Sequence, residues 1–167
     1  MKVLITGGKS SISYKILKAF ENQEVLLADY GDVPAFSAGN YQLIALGARN
    51  DETTAHHLLN ACLDHGAEQL LPLHEFEISA VTKSALLFEE FGIHVLLPEL
   101  TDLPKYFYPQ QEVARGKEWA VFQKGELIFA TSAEPEIRAT GKSKQLNGVF
   151  YIGLGIQDPT AVLFTIA

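Results

Sequence analysis

The stretch best suited to ligand chemistry is Gly7-Gly8-Lys9-Ser10-Ser11, which joins a short apolar run to an amphipathic stretch. At the start of a helix, backbone N–H groups lack intrahelical partners and the helix dipole favours an anion. Asp29 comes about 20 residues after Gly8, at the end of the next apolar run, where an acidic residue can hold a ribose hydroxyl. We therefore predict a ligand site formed by Gly7, Gly8, Lys9, Ser10, Ser11 and Asp29.

Two other interpretations of this turn stay open. If Gly8 begins a dinucleotide fingerprint, Ser10 and Ser13 occupy the places of its second and third glycines, and a serine side chain impedes close approach of a pyrophosphate. A nicotinamide dinucleotide, NAD or NADP, is therefore an alternative and not the main prediction. The other interpretation is a tight turn that needs two glycines for its backbone. The sequence does not identify a cofactor.

A second group of polar residues, His74, Glu75 and Glu77, follows a later apolar run. An imidazole and two carboxylates at a strand end can bind a ligand or a cation. The two glutamates also fall in the first turn of a helix, where negative charge is stabilising, and we favour this capping role. His74 and Glu75 remain candidate ligand-binding residues. No arrangement typical of nucleophilic catalysis is visible, and we assign no catalytic residue and no metal ligand.

Short apolar runs alternate with amphipathic stretches over residues 1–98, which is typical of strands joined by helices. Helical crossovers imply a parallel sheet, so we predict an α/β, Rossmann-like domain with five strands. Residues 30–40 are predicted to be a loop or a poor helix. The predicted strands are Lys2–Thr6, Glu24–Asp29, Tyr41–Leu46, Gln69–Leu73 and His94–Leu97, and their carboxyl ends should bring the two groups of polar residues to one edge.

The remainder of the chain has a different texture, rich in β-branched and aromatic residues. We predict a linker over residues 99–117 and a small antiparallel β region over residues 118–167, which begins with a hairpin that turns at Gly125. The polar stretch Ser132–Asn147 is predicted to be a mobile loop. Because a sheet of this size leaves apolar faces and edges to cover, a homodimer through it is one expectation.

The composition excludes several classes of protein. The 167 residues carry 13 basic and 20 acidic side chains, a net charge of −7, so on electrostatic grounds we expect neither nucleic acid nor a membrane as a partner. No apolar run approaches the roughly 18 residues of a membrane span, and the N-terminus lacks the features of a signal peptide. The single cysteine, Cys62, forms no internal disulfide. We expect a cytoplasmic protein.

The order of these segments resembles the N-terminal, pre-ATP-grasp domain of ATP-grasp ligases, most of all the branch that includes the large subunit of carbamoyl-phosphate synthase. The resemblance covers residues 1–98, and a weaker one continues through the hairpin that follows Glu118. It implies a Rossmann-like domain followed by a truncated remnant of the ATP-grasp domain. The segments that carry it are Val3–Gly8, Val25–Asp29, Leu70–Glu77 and Gly92–Pro98.

The chain also departs from that family. The family places well over fifty residues between the pre-ATP-grasp domain and the hairpin, and they hold ATP, whereas only about twenty separate Pro98 from Glu118. The magnesium ligands of the family would come after Ala167. The resemblance thus implies a non-catalytic relative that binds a small ligand or a partner chain at the strand edge. The alternatives are an NAD(P)-binding enzyme and an ATP-dependent ligase that a partner ATP-grasp chain completes.

Overall fold

The computed structural model describes residues 1–107, 118–153 and 160–166. Part of the predicted linker, residues 108–117, lies outside these ranges. The chain divides into two compact units, Met1–Val95 together with Ile166, and Leu96–Thr165. The first unit contains a mostly parallel sheet and the second an antiparallel sheet, which confirms the predicted α/β fold class.

The first unit is built on a six-stranded sheet in the order β3-β4-β2-β1-β5-β6. All neighbours are parallel except β3 and β4. The prediction of five strands was wrong, because it omitted β3, a two-residue strand within the predicted loop. A strand this short has no periodicity to detect. The strands are β1 (Lys2–Thr6), β2 (Glu24–Asp29), β3 (Ser37–Ala38), β4 (Tyr41–Ala45), β5 (Gln69–Leu71) and β6 (His94–Val95).

Four helices connect these strands: α1 (Ser11–Ile16), α2 (Thr54–His65), α3 (Glu75–Lys83) and α4 (Ala85–Glu90), and a 3₁₀ turn, Leu17–Phe20, follows α1. Ser10 caps α1, because its side chain accepts a hydrogen bond from the N–H of Ile12. Helix α2 ends at Gly66, whose left-handed backbone (φ 70°) favours glycine. Cys62 on α2 is buried, and burial raises the pKa of its thiol to about 12.

The second unit contains a four-stranded antiparallel sheet in the order β10-β9-β7-β8. The prediction of a mobile loop over Ser132–Asn147 was wrong, because this stretch contains a helix, α6 (Pro135–Lys144). Pro135 at its start and Glu136 in its first turn suit a helix, and Ile137 is buried. The elements are α5 (Leu103–Tyr106), β7 (Trp119–Gln123), β8 (Glu126–Ala130), α6 (Pro135–Lys144), β9 (Gly148–Gly153) and β10 (Thr160–Leu163).

The parallel sheet positions the candidate site by burying its strands on both faces. Val3, Leu4 and Ile5 of β1 and Leu27 of β2 are fully buried, as expected for a parallel sheet covered by helices. The carboxyl ends of β1, β2 and β5 therefore stand on a rigid base. Among the residues that the structure describes, no helix is long and apolar enough to cross a membrane.

Candidate functional site

The glycine turn after β1 packs closely against β2. Gly7 has φ +80°, a conformation that L side chains rarely adopt. The N–H of Gly8 donates to the carbonyl of Ala28 (3.0 Å), and a Cβ on Gly8 would lie 2.8 Å from the carbonyl carbon of Leu27. The backbone conformation at Gly7 and the close packing at Gly8 therefore each favour glycine, which agrees with the interpretation of a tight turn.

The N–H groups of this turn are largely satisfied within the protein. The N–H of Lys9 donates to Oδ2 of Asp29 (3.0 Å), and the N–H of Ser10 donates to the carbonyl of Gly7 (2.9 Å). The Lys9 side chain and Ser11 are exposed. The structure thus brings Asp29 to the turn, as the positions in the sequence predicted, but an internal carboxylate is bound where a ligand anion was expected.

The Asp29 carboxylate accepts two further hydrogen bonds. Its Oδ1 accepts from the N–H of Tyr30 (2.9 Å) and pairs with Nε2 of His74 (2.9 Å). Burial raises the pKa of Asp29, but the hydrogen bonds from His74, Lys9 and Tyr30 outweigh it and the net pKa is lowered. Because both oxygens are engaged and the side chain is only 8% exposed, a ribose hydroxyl would have to displace internal partners.

A second carboxylate, that of Glu77, is fully buried beneath the same edge. Its Oε1 accepts from the hydroxyl of Thr6 (2.6 Å) and from the N–H of His74 (3.1 Å), and its Oε2 accepts from the hydroxyl of Tyr30 (2.6 Å). Burial raises the pKa of Glu77, and these hydrogen bonds oppose the rise. Glu77 caps α3 and also ties that helix to the end of β1.

Thr6, Asp29, Tyr30, His74 and Glu77 form one hydrogen-bonded group, here called the carboxylate cluster. Tyr30 donates its N–H to Asp29 and its hydroxyl to Glu77, and His74 pairs its ring with Asp29 and donates its N–H to Glu77. Burial lowers the pKa of His74, but the hydrogen bond to Asp29 and the two negative charges raise it overall. The cluster holds three strand ends in fixed positions.

Above the carboxylate cluster lies a group of rings and one cation, here called the ring face: Tyr30, Arg49, His57, His74 and Phe76. The Tyr30 ring is 5.3 Å from that of Phe76, and His74 stacks on Phe76 at 5.4 Å. The Arg49 guanidinium carbon lies 3.6 Å from the centre of the Phe76 ring. All four rings, those of Tyr30, His57, His74 and Phe76, are half-buried, so the face is accessible to a ligand.

Sequence reasoning missed Tyr30, Arg49 and Phe76. The signal that could have found them is their position, because each follows the end of a parallel strand by a few residues, where ligand-binding side chains gather. Of the residues that were predicted, Gly7, Gly8, Lys9, Ser10, Asp29, His74 and Glu75 all lie at this edge, and Ser11 begins α1.

The crevice between the ends of β1 and β5 is occupied by Ile166, which belongs to the first unit. Its N–H donates to the carbonyl of Leu73 (2.6 Å), and the N–H of Glu75 donates to its carbonyl (2.9 Å). A Cβ on Gly7 would lie 2.5 Å from Cδ1 of Ile166. The chain itself therefore fills the crevice next to the predicted glycine turn.

An open cleft of about 530 Å³ lies between the end of β4 and α2, and His57 belongs both to this cleft and to the ring face. His56 is exposed and His57 half-buried. Within the described parts of the chain, no three His, Cys, Asp or Glu side chains are grouped as metal ligands. The cleft extends the accessible surface beside the ring face.

Comparison with known proteins leaves the family open. No family model and no curated protein match the chain. Among solved structures, glycinamide-RNase-transformylase T from Mycobacterium tuberculosis is 12% identical with a TM-score of 0.48, covering all of this chain and 71% of that one. A mutated uronate dehydrogenase is 14% identical with a TM-score of 0.39, over 68% of this chain and 62% of that one. Uronate dehydrogenase from Agrobacterium tumefaciens is 10% identical with a TM-score of 0.40, covering 99% of this chain and 77% of that one. At these scores the likenesses identify no family and no activity.

Proposed function

We propose that the protein is a non-catalytic relative of ATP-grasp ligases that binds a small ligand on the ring face, at the carboxyl edge of the parallel sheet. The ATP-grasp lineage rests on the order of segments in the sequence. The absence of ligase activity rests on the short spacing between Pro98 and Glu118, which has no room for an ATP-holding segment of the family's length.

The observation that carries this proposal is the position of the Arg49 guanidinium between the Asp51 carboxylate and the Phe76 ring. Its Nε and Nη2 donate to the two carboxylate oxygens of Asp51 (2.7 and 3.0 Å), while the Phe76 ring lies against its plane. A guanidinium held in this way loses little conformational entropy when it contacts a ligand. His74 and Tyr30 beside it are held by buried carboxylates, so the face is pre-organised.

The residues predicted from sequence take two roles in this proposal. Gly7, Gly8, Ser10 and Asp29 are engaged in internal contacts and shape the edge. Lys9, Ser11, His74 and Glu75 have side chains exposed or half-exposed at the edge and are the ones we expect a ligand to reach. The Lys9 amine lies next to Gly31, 3.6 Å from where a Cβ on that residue would be.

The same contacts argue against a nicotinamide dinucleotide. Both oxygens of Asp29 have partners, and the Ser10 side chain caps α1 where a fingerprint glycine would stand. A dinucleotide at the glycine turn would also meet Ile166 above Gly7. Each of these contacts would have to be broken before the ribose or pyrophosphate could bind.

The proposal is tested by thermal unfolding in the presence of ATP, ADP, NAD or NADP, with the Arg49→Ala variant beside the wild type. A ligand at a hundredfold over its dissociation constant adds roughly 2.7 kcal/mol to the free energy of unfolding. We expect Arg49→Ala to weaken that stabilisation, and Arg138→Ala, an exposed arginine on α6, to leave it unchanged. Equal responses of both variants to every ligand would contradict a site at the ring face.

A partner chain is the second candidate, favoured by the β8 edge of the antiparallel sheet. Among the described strands β8 is an outermost one, and its Ile128 is 47% exposed. An apolar side chain on an edge strand is a common place for chain association. Light scattering after size exclusion reports the mass, and Ile128→Lys should reduce a dimer to a monomer if β8 forms its interface.

A further inference from the structure

The crevice between β1 and β5 is the point at which the order of the parallel strands reverses. β1 and β5 pair in register up to Ile5 and Leu71, after which β1 turns away at Gly7 while the chain from β5 continues through Leu73 to α3. Ligands of open α/β sheets bind in the crevice that such a reversal creates. In this protein the crevice has peptide main chain along one wall.

The contacts of Ile166 show which groups can bind along this wall of the crevice. Ile166 pairs in parallel with His74, donating to the carbonyl of Leu73 and accepting from the N–H of Glu75. Its side chain reaches over Gly7, where the missing Cβ leaves a socket that also borders Leu73. Two main-chain hydrogen bonds and one apolar socket are the elements by which an exposed strand edge binds a peptide.

We propose that this crevice is a binding site for an extended peptide segment with a branched aliphatic side chain, and that Ile166 occupies it in cis. The site adjoins the proposed small-ligand site on the ring face, since His74 and Glu75 border both, but its main-chain contacts do not depend on a ligand there. The hydrogen bonds to residues 73 and 75 are independent of side-chain type and set the position of the segment. The Gly7 socket selects the side chain, because its surroundings are apolar.

A segment already attached to the chain has a high effective concentration at the site and excludes a competing peptide. Removing the Ile166 side chain should therefore open the site to the same segment supplied in trans. The matched test uses the peptide of residues 160–167, Thr-Ala-Val-Leu-Phe-Thr-Ile-Ala, and a control peptide with glycine in place of the isoleucine. The proteins are the wild type, Ile166→Gly, which empties the socket, and Ile166→Val, which keeps it filled.

Binding is followed by NMR shifts of the amides of Gly7 and Glu75 during titration with each peptide. We expect the Ile166→Gly protein to bind the isoleucine peptide at least about tenfold more tightly than the wild type or Ile166→Val does, since cis occupancy can change apparent affinity by factors of this size or more. The glycine peptide should not bind. Equal affinity of all three proteins, equal binding of both peptides, or no saturable shift in folded Ile166→Gly would overturn the proposal.

Hydrogen exchange of the wild type supplies a second measurement that does not depend on the variants. The N–H groups of Ile166 and Glu75 should exchange more slowly than in an unstructured peptide and with the same opening free energy, because one contact protects both. Exchange of the Ile166 amide at the rate of an unstructured peptide would show that the crevice is not occupied in cis.

Discussion

Removal of the Glu77 carboxylate should strongly destabilise the first unit. In the Glu77→Ala variant, three donors lose their acceptor: the hydroxyls of Thr6 and Tyr30 and the N–H of His74. Thr6 is buried, so its hydroxyl loses its partner without gaining water, whereas the half-buried Tyr30 is better placed to reach solvent. The end of β1 and the start of α3 then lose a shared anchor.

The size of this effect follows from the contacts. Hydrogen bonds to a charged acceptor are worth about 1.5–3 kcal/mol each, which sets an upper range for three of them. The burial cost of the Glu77 charge, which raises its pKa, disappears in the variant and offsets part of the loss. We expect a loss of about 3 kcal/mol for Glu77→Ala. Glu77→Gln keeps the shape and two of the three acceptor contacts, and should lose about 1–2 kcal/mol.

The assay is urea unfolding followed through NMR signals of the first unit, because the chain has two compact units that can unfold in separate transitions. Glu90→Ala, an exposed carboxylate on α4, is the matched control and should stay within about 0.5 kcal/mol of the wild type. A loss below about 1 kcal/mol for Glu77→Ala, or equal losses for the alanine and glutamine variants, would show that the Glu77 carboxylate does not anchor the end of β1 to α3.

Three further predictions concern the edge and the second unit. The pKa of His74 is raised above 6.5 in the folded protein, so protonated His74 stabilises the fold fully below that pH. The stabilisation is lost as the pH rises through the raised pKa, which makes the free energy of unfolding depend on pH. His74→Gln should remove this pH dependence from free energies of unfolding measured across neutral pH. Gly8→Ala should cost about 1–3 kcal/mol in urea unfolding, because its Cβ would meet the Leu27 backbone. Gly141→Ala should similarly destabilise the second unit by forcing a Cβ into the Phe122 ring, measured by the NMR signals of that unit.

The sequence predicted the parallel sheet well because its strands are short apolar runs with abrupt ends. Gly7 marks the end of β1 by its backbone conformation, and this strand end was predicted from residue type alone. The strand β3 and the helix α6 were missed for opposite reasons. β3 has only two residues, and α6 is so polar that its pattern resembles a loop until the close approach of Gly141 to Phe122 is known.

The sequence predicted which residues meet at this edge of the sheet, but not the contacts that they make there. Strand ends placed Asp29, His74 and the glycine turn at one edge, where the structure also has them. The sequence could not show that the N–H of Lys9 and the ring of His74 would both bond to Asp29, because these partners depend on the strand register. It also gave no sign of Ile166, whose approach to Gly7 joins residues far apart in the chain.

Binding of a small ligand to the ring face is tested most directly by NMR shift mapping of the ¹⁵N-labelled protein with ATP, ADP, NAD and NADP. We expect at least one of these ligands to cause saturable shifts centred on Tyr30, Arg49 and Phe76, and we expect Arg49→Ala to weaken them. No saturable shift with any ligand, or shifts centred on the antiparallel sheet of the second unit, would rule out a site on the ring face.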